Sequence, residues 1–140
     1  MLLINRIRCE DDTVLTSRYF NDFQYHLGVG IDGGNDFPRR FIKNGTIKFI
    51  DLSIPDDGTI EKAREHLEWP SFGKDAGFVH MGGPRYLKLK NMSDAHIESI
   101  LQKNGEEGTL YLTAQYIRYF KAELEYREKN NIVVKESIYE

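Results

Sequence analysis

The sequence predicts an α+β fold: an N-terminal antiparallel β-sheet followed by a short helix and two C-terminal helices. Three observations lead there. Short β-branched and aromatic runs crowd residues 1–55, whereas spacings of three and four between apolar residues dominate 56–130. Good helix-capping residues precede each of the first two helical runs. The chain has 140 residues, 40% of them hydrophobic and 29% charged, which suits one α+β domain with a tail over 131–140.

The elements follow in order. Leu2 to Cys9 and Thr13 to Ser17 read as strands joined by the acidic turn Glu10-Asp11-Asp12, a hairpin. From Phe20 to His26, Phe23 and Tyr25 alternate with Asp22 and Gln24. Gly28, Gly30, Gly33 and Gly34 then mark sharply turning backbone, and Thr46 to Leu52 reads as a further strand. Thr59 caps a helix running to about Leu67. A glycine-rich aromatic loop spans Trp69 to Gly83, and Arg85 to Lys90 alternates as a strand does. Ser93 caps a helix through Lys103, with Asp94 favoured in its first turn by the helix dipole. Gly105 and Gly108 separate it from a last helix, about Leu110 to Lys129, whose Thr113, Ile117, Phe120 and Leu124 form a stripe for burial.

Charge and composition exclude several functions. With 22 acidic and 19 basic residues the net charge is −3, without the cationic excess of a nucleic-acid-polymer binder. No apolar run approaches the ~20 residues of a membrane helix. The opening MLLINRIRC lacks a signal-peptide core, and the one cysteine, Cys9, fits a reducing cytoplasm.

Three groups of residues are candidates for function. In the glycine-rich stretch 28–40, backbone N–H groups with Arg39 and Arg40 suit a phosphate; the alternative is a tight turn whose arginines pair with Asp32 and Asp36. Around the long loop, Phe72, Lys74, Arg85 and Tyr86 combine aromatic faces with cations, the needs of a purine and its phosphates, while Trp69 reads as core. Such a loop is uncommon unless it binds something, so Phe72 to Gly83 is expected to be a closing segment. On the last helix Arg118 is expected to be an anion clamp; its neighbours, Glu123 and Arg127 among them, read as a solvated face laced by ion pairs. His26, His66, His80 and His96 have no partner at metal-ligand spacing, and no nucleophile–base or paired-carboxylate set stands out, so neither a cofactor nor an enzymatic role is expected.

Two runs of residues carry a resemblance. Asn5-Arg6-Ile7-Arg8-Cys9, Asp22-Phe23 and Asp32-Gly33-Gly34-x-Asp36-Phe37-x-Arg39-Arg40 resemble a motif of small phage-encoded proteins, usually ending Asp-Gly-Gly-x-Asp-Tyr-Leu-Arg-Arg. The second half is similar through Trp69, Phe72-Gly73-Lys74-Asp75, Pro84-x-Tyr86-x-x-Leu89-Lys90-x-Met92-Ser93-Asp94-x-His96-Ile97-x-x-Ile100-Leu101 and Glu123-Leu124-Glu125-x-Arg127. Some short relatives of the first half resemble a zinc ribbon with two cysteine pairs. The matching places here are Cys9, Asp12, Gln24 and His26, which cannot supply four N/S ligands, so no metal is expected.

In size and two-part build the chain resembles the Thoeris anti-defence sponge family. The resemblance implies a homo-oligomer in the host cytoplasm that holds cyclic ADP-ribose signals without cleaving them. On that reading Phe72 or Tyr86 stacks on the base, Arg85 and Arg118 take the phosphates, and Asn91 or Asp94 reaches the ribose hydroxyls. The alternatives are an interaction protein that inhibits a host enzyme through the tyrosine-rich last helix, Tyr111, Tyr116, Tyr119 and Tyr126, and a nucleotide-degrading enzyme.

Overall fold

The computed structural model describes residues 1–43, 47–71, 85–104 and 114–139. Within these the architecture is α+β: small antiparallel sheets first, one short helix next and two longer helices last. The chain divides into two compact units, Met1–Asp57 and Gly58–Glu140.

The N-terminal unit is all β. Its strands are β1 (Leu2–Ile4), β2 (Arg6–Cys9), β3 (Val14–Thr16), β4 (Gln24–His26), β5 (Val29–Asp32), β6 (Arg39–Ile42), β7 (Phe49–Asp51) and β8 (Ile54–Pro55). They pair antiparallel as β1-β8, β3-β2-β7 and β4-β5-β6. The expected hairpin through Glu10-Asp11-Asp12 is the β2–β3 hairpin, with Asp12 at φ 70° in its turn. The expected first strand, however, is two strands broken at Asn5. Its fully buried side-chain amide donates to the carbonyls of Asp32 and Gly34, at 3.1 and 2.7 Å. Those carbonyls lie in backbone that turns away from its ladder, so a buried amide from elsewhere in the chain satisfies them.

Residues 28–40, read from sequence as one glycine turn, instead hold β5, a turn and the start of β6. The β4–β5 connection is a two-residue loop, since His26 pairs with Val29. Leu27 and Gly28 both have positive φ, 48° and 87°, the backbone sense that follows the natural twist of a hairpin. Ile7, Cys9, Leu15, Val29 and Ile31 form the core, with Ile47 and Phe49 packed against it.

The C-terminal unit holds α1 (Ile60–His66), β9 (Glu68–Ser71), β10 (Arg85–Lys88), a 3-10 turn (Leu89–Asn91), α2 (Asp94–Asn104) and α3 (Ala114–Lys129). Both expected caps are present: Thr59 Oγ1 accepts from Lys62 N, and Ser93 Oγ accepts from His96 N at 3.1 Å. One strand is new. Trp69 lies in β9, paired with Leu87 of β10, and its half-buried ring meets Phe120 edge-on at 5.3 Å and Tyr116 at 5.8 Å. Ile117 and Phe120 of the expected stripe are buried, at 2% and 1% exposure; Thr113 lies outside the described residues. So do residues 72–84, Gly105, Gly108 and the expected start of α3 at Leu110. No helix among the described residues is long and apolar enough to cross a membrane.

Candidate functional site

Arginine side chains from the sequence motifs end up in very different settings. Arg40 is an internal strut: its guanidinium donates to Asn5 Oδ1 at 2.7 Å, Ser53 Oγ at 2.8 Å and Asp51 Oδ1 at 3.2 Å. The pairing expected with Asp36 is thus replaced by one with Asp51. Burial works against the ionised Asp51, yet hydrogen bonds from Ser53 and Arg40 outweigh it and hold its pKa below the ordinary value. Arg39 pairs with Asp32, as expected, at 2.7 Å, but its side chain remains 64% exposed.

In the C-terminal unit the expected ligand contacts serve the fold. Asn91 is buried, and its carbonyl accepts from Ile138 N. Asp94 accepts from Arg127 Nη1 at 2.6 Å. Both residues expected at the ribose thus make contacts within the unit, to the tail and to α3. The Arg85 guanidinium lies 5.0 Å from the Tyr139 ring centroid, and the Tyr139 hydroxyl is 2.9 Å from Ser71 Oγ, so the tail docks across the ends of β9 and β10. Tyr86 is partly buried in β10, and exposed Arg118 lies 4.9 Å from the ring of its buried neighbour Tyr119. Phe72 and Lys74 lie outside the described residues.

Glu123 and Arg127 do pair, but inside the unit and not on a solvated face. Glu123 is fully buried, and its carboxylate takes Arg127 Nε at 2.8 Å and Arg64 Nε at 2.8 Å. Arg127 also donates to the carbonyls of Leu89 and Lys90, so this charge cluster ties α1, the 3-10 turn, α2 and α3 together. The signal was in the spacing. Positions 123 and 127 follow Phe120 at +3 and +7, on the buried side of the helix.

Half-exposed aromatic rings gather beside an accessible guanidinium on the outward face of the β4-β5-β6 sheet. Tyr25, Gly30 and Phe41 lie on one rung of the ladder, and Asp32 and Arg39 face each other two residues along. Because side chains alternate along a strand, these share one face, while Val29 and Ile31 point into the core at 1% and 0% exposure. Phe23 stacks on Tyr25 with centroids 6.1 Å apart, and Tyr25 leans on Phe41 at 6.4 Å. All three rings stay about half exposed, at 53%, 47% and 53%. Gly30 lets the Phe23 ring lie close against the strand, since a Cβ there would come within 2.9 Å of that ring and push it aside. Lys43 continues the face past Phe41: its Cβ lies 3.7 Å from where a Cβ on Gly28 would stand.

The alternation over Asp22 to Tyr25 therefore runs opposite to the usual rule, for the aromatics face water and Asp22 is buried. Its carboxylate accepts from Arg18 N at 2.8 Å and Gln24 Nε2 at 2.7 Å, and its carbonyl from Ser17 Oγ at 2.7 Å. Sequence reasoning placed Arg39 in a site but missed Phe23, Tyr25 and Phe41. The period-two run Arg39, Phe41, Lys43 opposite Gly28 and Gly30 was the available signal.

Two of the zinc-ribbon positions, Gln24 and His26, are engaged in side-chain hydrogen bonds. His26 Nε2 lies 2.7 Å from Asp11 Oδ2 and 3.2 Å from Thr13 Oγ1. The His26 bond, aided by the Thr13 hydroxyl and N–H, holds the Asp11 pKa down at about 2. Burial, then the Asp11 charge, raises that of the Cys9 thiol. Among the described residues no three His, Cys, Asp or Glu side chains converge as metal ligands.

Fold and face together define a two-unit α+β protein whose β unit displays an aromatic surface beside a guanidinium. No family model, curated protein or solved structure matches this chain.

Proposed function

We propose that this protein is a phage anti-defence sponge: it binds a cyclic ADP-ribose-type signalling nucleotide and holds it without cleavage. The observation that carries the reading is the outward β4-β5-β6 face, where half-exposed Phe23, Tyr25 and Phe41 adjoin the accessible Arg39. Rings supply a stacking surface for a purine, and a guanidinium supplies forked donors for phosphate oxygens. The resemblance in size and two-part build to the sponge family implies the same ligand class. Homo-oligomerisation in the host cytoplasm belongs to this proposal.

The test is to incubate the pure protein with a panel of cyclic nucleotides, wash, heat, and analyse the release by chromatography. An unchanged nucleotide at a fixed ratio to protein is the expected result, with Tyr25→Ser and Phe41→Ser releasing at least ~10-fold less, on the scale of one lost base–aromatic stack. An empty wash or a chemically altered nucleotide overturns it. A second reading, direct blockade of a host enzyme, is favoured by the same exposed rings, because aromatic side chains are enriched at protein interfaces. It predicts a stoichiometric protein partner whose capture survives nucleotide removal.

A further inference from the structure

We infer that the outward sheet face takes, beyond a one-base signal, an extended dinucleotide: a ligand with a planar ring at each end of a pyrophosphate bridge. The inference rests on the nucleotide-binding reading above and goes past it by assigning a second ring site.

Three stations follow one another along the β5–β6 hairpin. Tyr25, Gly30 and Phe41 form the first, carrying the Phe23 ring. Asp32 and Arg39 form the second, one step nearer the turn. The third is at the turn itself, where Phe37 meets Phe20 edge-on with centroids 5.6 Å apart. Phe20 and Phe37 are 65% and 61% exposed, so this second aromatic site is as open to solvent as the first. Phe41 follows Arg39 by two residues along β6, a strand step of about 7 Å, and Phe37 precedes Arg39 by two residues in the turn, across Pro38. Along the hairpin Arg39 thus comes between two ring sites, as the pyrophosphate comes between the bases of an extended dinucleotide.

Arg39 is built to serve as that central contact. Its Nη2 is held by Asp32 Oδ2, while Nε and Nη1 have no hydrogen-bond partner among the described residues. Asp32 is itself fixed, at 22% side-chain exposure, with its Oδ1 buried and unpartnered among the described residues. The carboxylate orients the guanidinium and leaves other N–H groups for phosphate oxygens. Lys43, exposed beyond Phe41, adds a second cation at the far end.

Calorimetric titration with ADP-ribose and with diadenosine diphosphate tests this, because the two differ only by the second adenine. Diadenosine diphosphate is expected to bind about tenfold tighter, toward the low end of what one base–aromatic stack contributes. Phe37→Ala should erase that advantage and leave ADP-ribose affinity unchanged, whereas Phe41→Ala should weaken both; unchanged circular dichroism of these surface variants checks folding. Equal affinities in the unaltered protein, or a Phe37→Ala effect shared by both ligands, overturns the second ring site alone. No binding of ADP-ribose, diadenosine diphosphate or cyclic ADP-ribose overturns the nucleotide-binding reading itself.

Discussion

In the N-terminal unit Tyr19, Phe20, Phe23, Tyr25, Phe37 and Phe41 stand about half exposed or more, while the buried polar groups are small hydrogen-bonding ones: Asn5, Ser17 and Asp22. In the C-terminal unit the arrangement reverses. Tyr119 and Phe120 are inside at 2% and 1% exposure, and with them lies a fully buried carboxylate held by two arginines. Of the twelve large apolar side chains exposed among the described residues, only Val133 and Ile138 belong to the C-terminal unit. A helical unit can hide its aromatics because one stripe per helix suffices. A unit of two- and three-stranded sheets has two faces per sheet and little chain to cover both. The difference teaches where to look for function: among the described residues, exposed aromatic surface is concentrated in the N-terminal unit, and such a patch marks an interaction site.

The sharpest way to break this comparison is at Glu123. Replacing it with Ala leaves Arg64 and Arg127 buried without their shared counter-ion, and breaking a buried pair in this way costs about 3–5 kcal/mol. Urea unfolding followed by hydrogen exchange should show the loss confined to the C-terminal unit; a loss under 1 kcal/mol would mean the carboxylate is well solvated.

Leu27 gives a smaller effect of opposite sign. It holds φ 48° at 67% exposure, where an Asn would sit more easily. Leu27→Asn should therefore raise stability by about 1 kcal/mol, read from the unfolding midpoint. A decrease would show that the side chain contributes packing.

The smallest effect is one of pH. Asp11 has its pKa depressed by the His26 and Thr13 hydrogen bonds to about 2, below its unfolded value. A depressed carboxylate stabilises the fold above the unfolded pKa of about 4 and loses that contribution as pH falls through the folded value. Asp11→Asn should accordingly lower stability near neutrality, where that contribution is fully present, and flatten the profile below pH ~4 until the two proteins converge in strong acid. A carboxyl carbon titration by NMR that finds an ordinary midpoint would remove the His26 bond from solution.

By itself the sequence determined the α+β class, the caps Thr59 and Ser93, the acidic hairpin turn and the burial of Ile117 and Phe120. All of these are local: a cap acts within one turn, and a helical stripe is written in its own spacing. Only the tertiary structure decided that Asn5 would break the first strand, that Trp69 would belong to β9, and that Glu123 would be buried with both arginines. It also decided that Phe23, Tyr25 and Phe41 face water while Asp22 does not. The reason is physical. Periodicity says which side chains share a face, but which face is covered depends on chain distant in sequence, and hydrogen bonds such as that of Asn5 to Gly34 join positions that no local pattern connects.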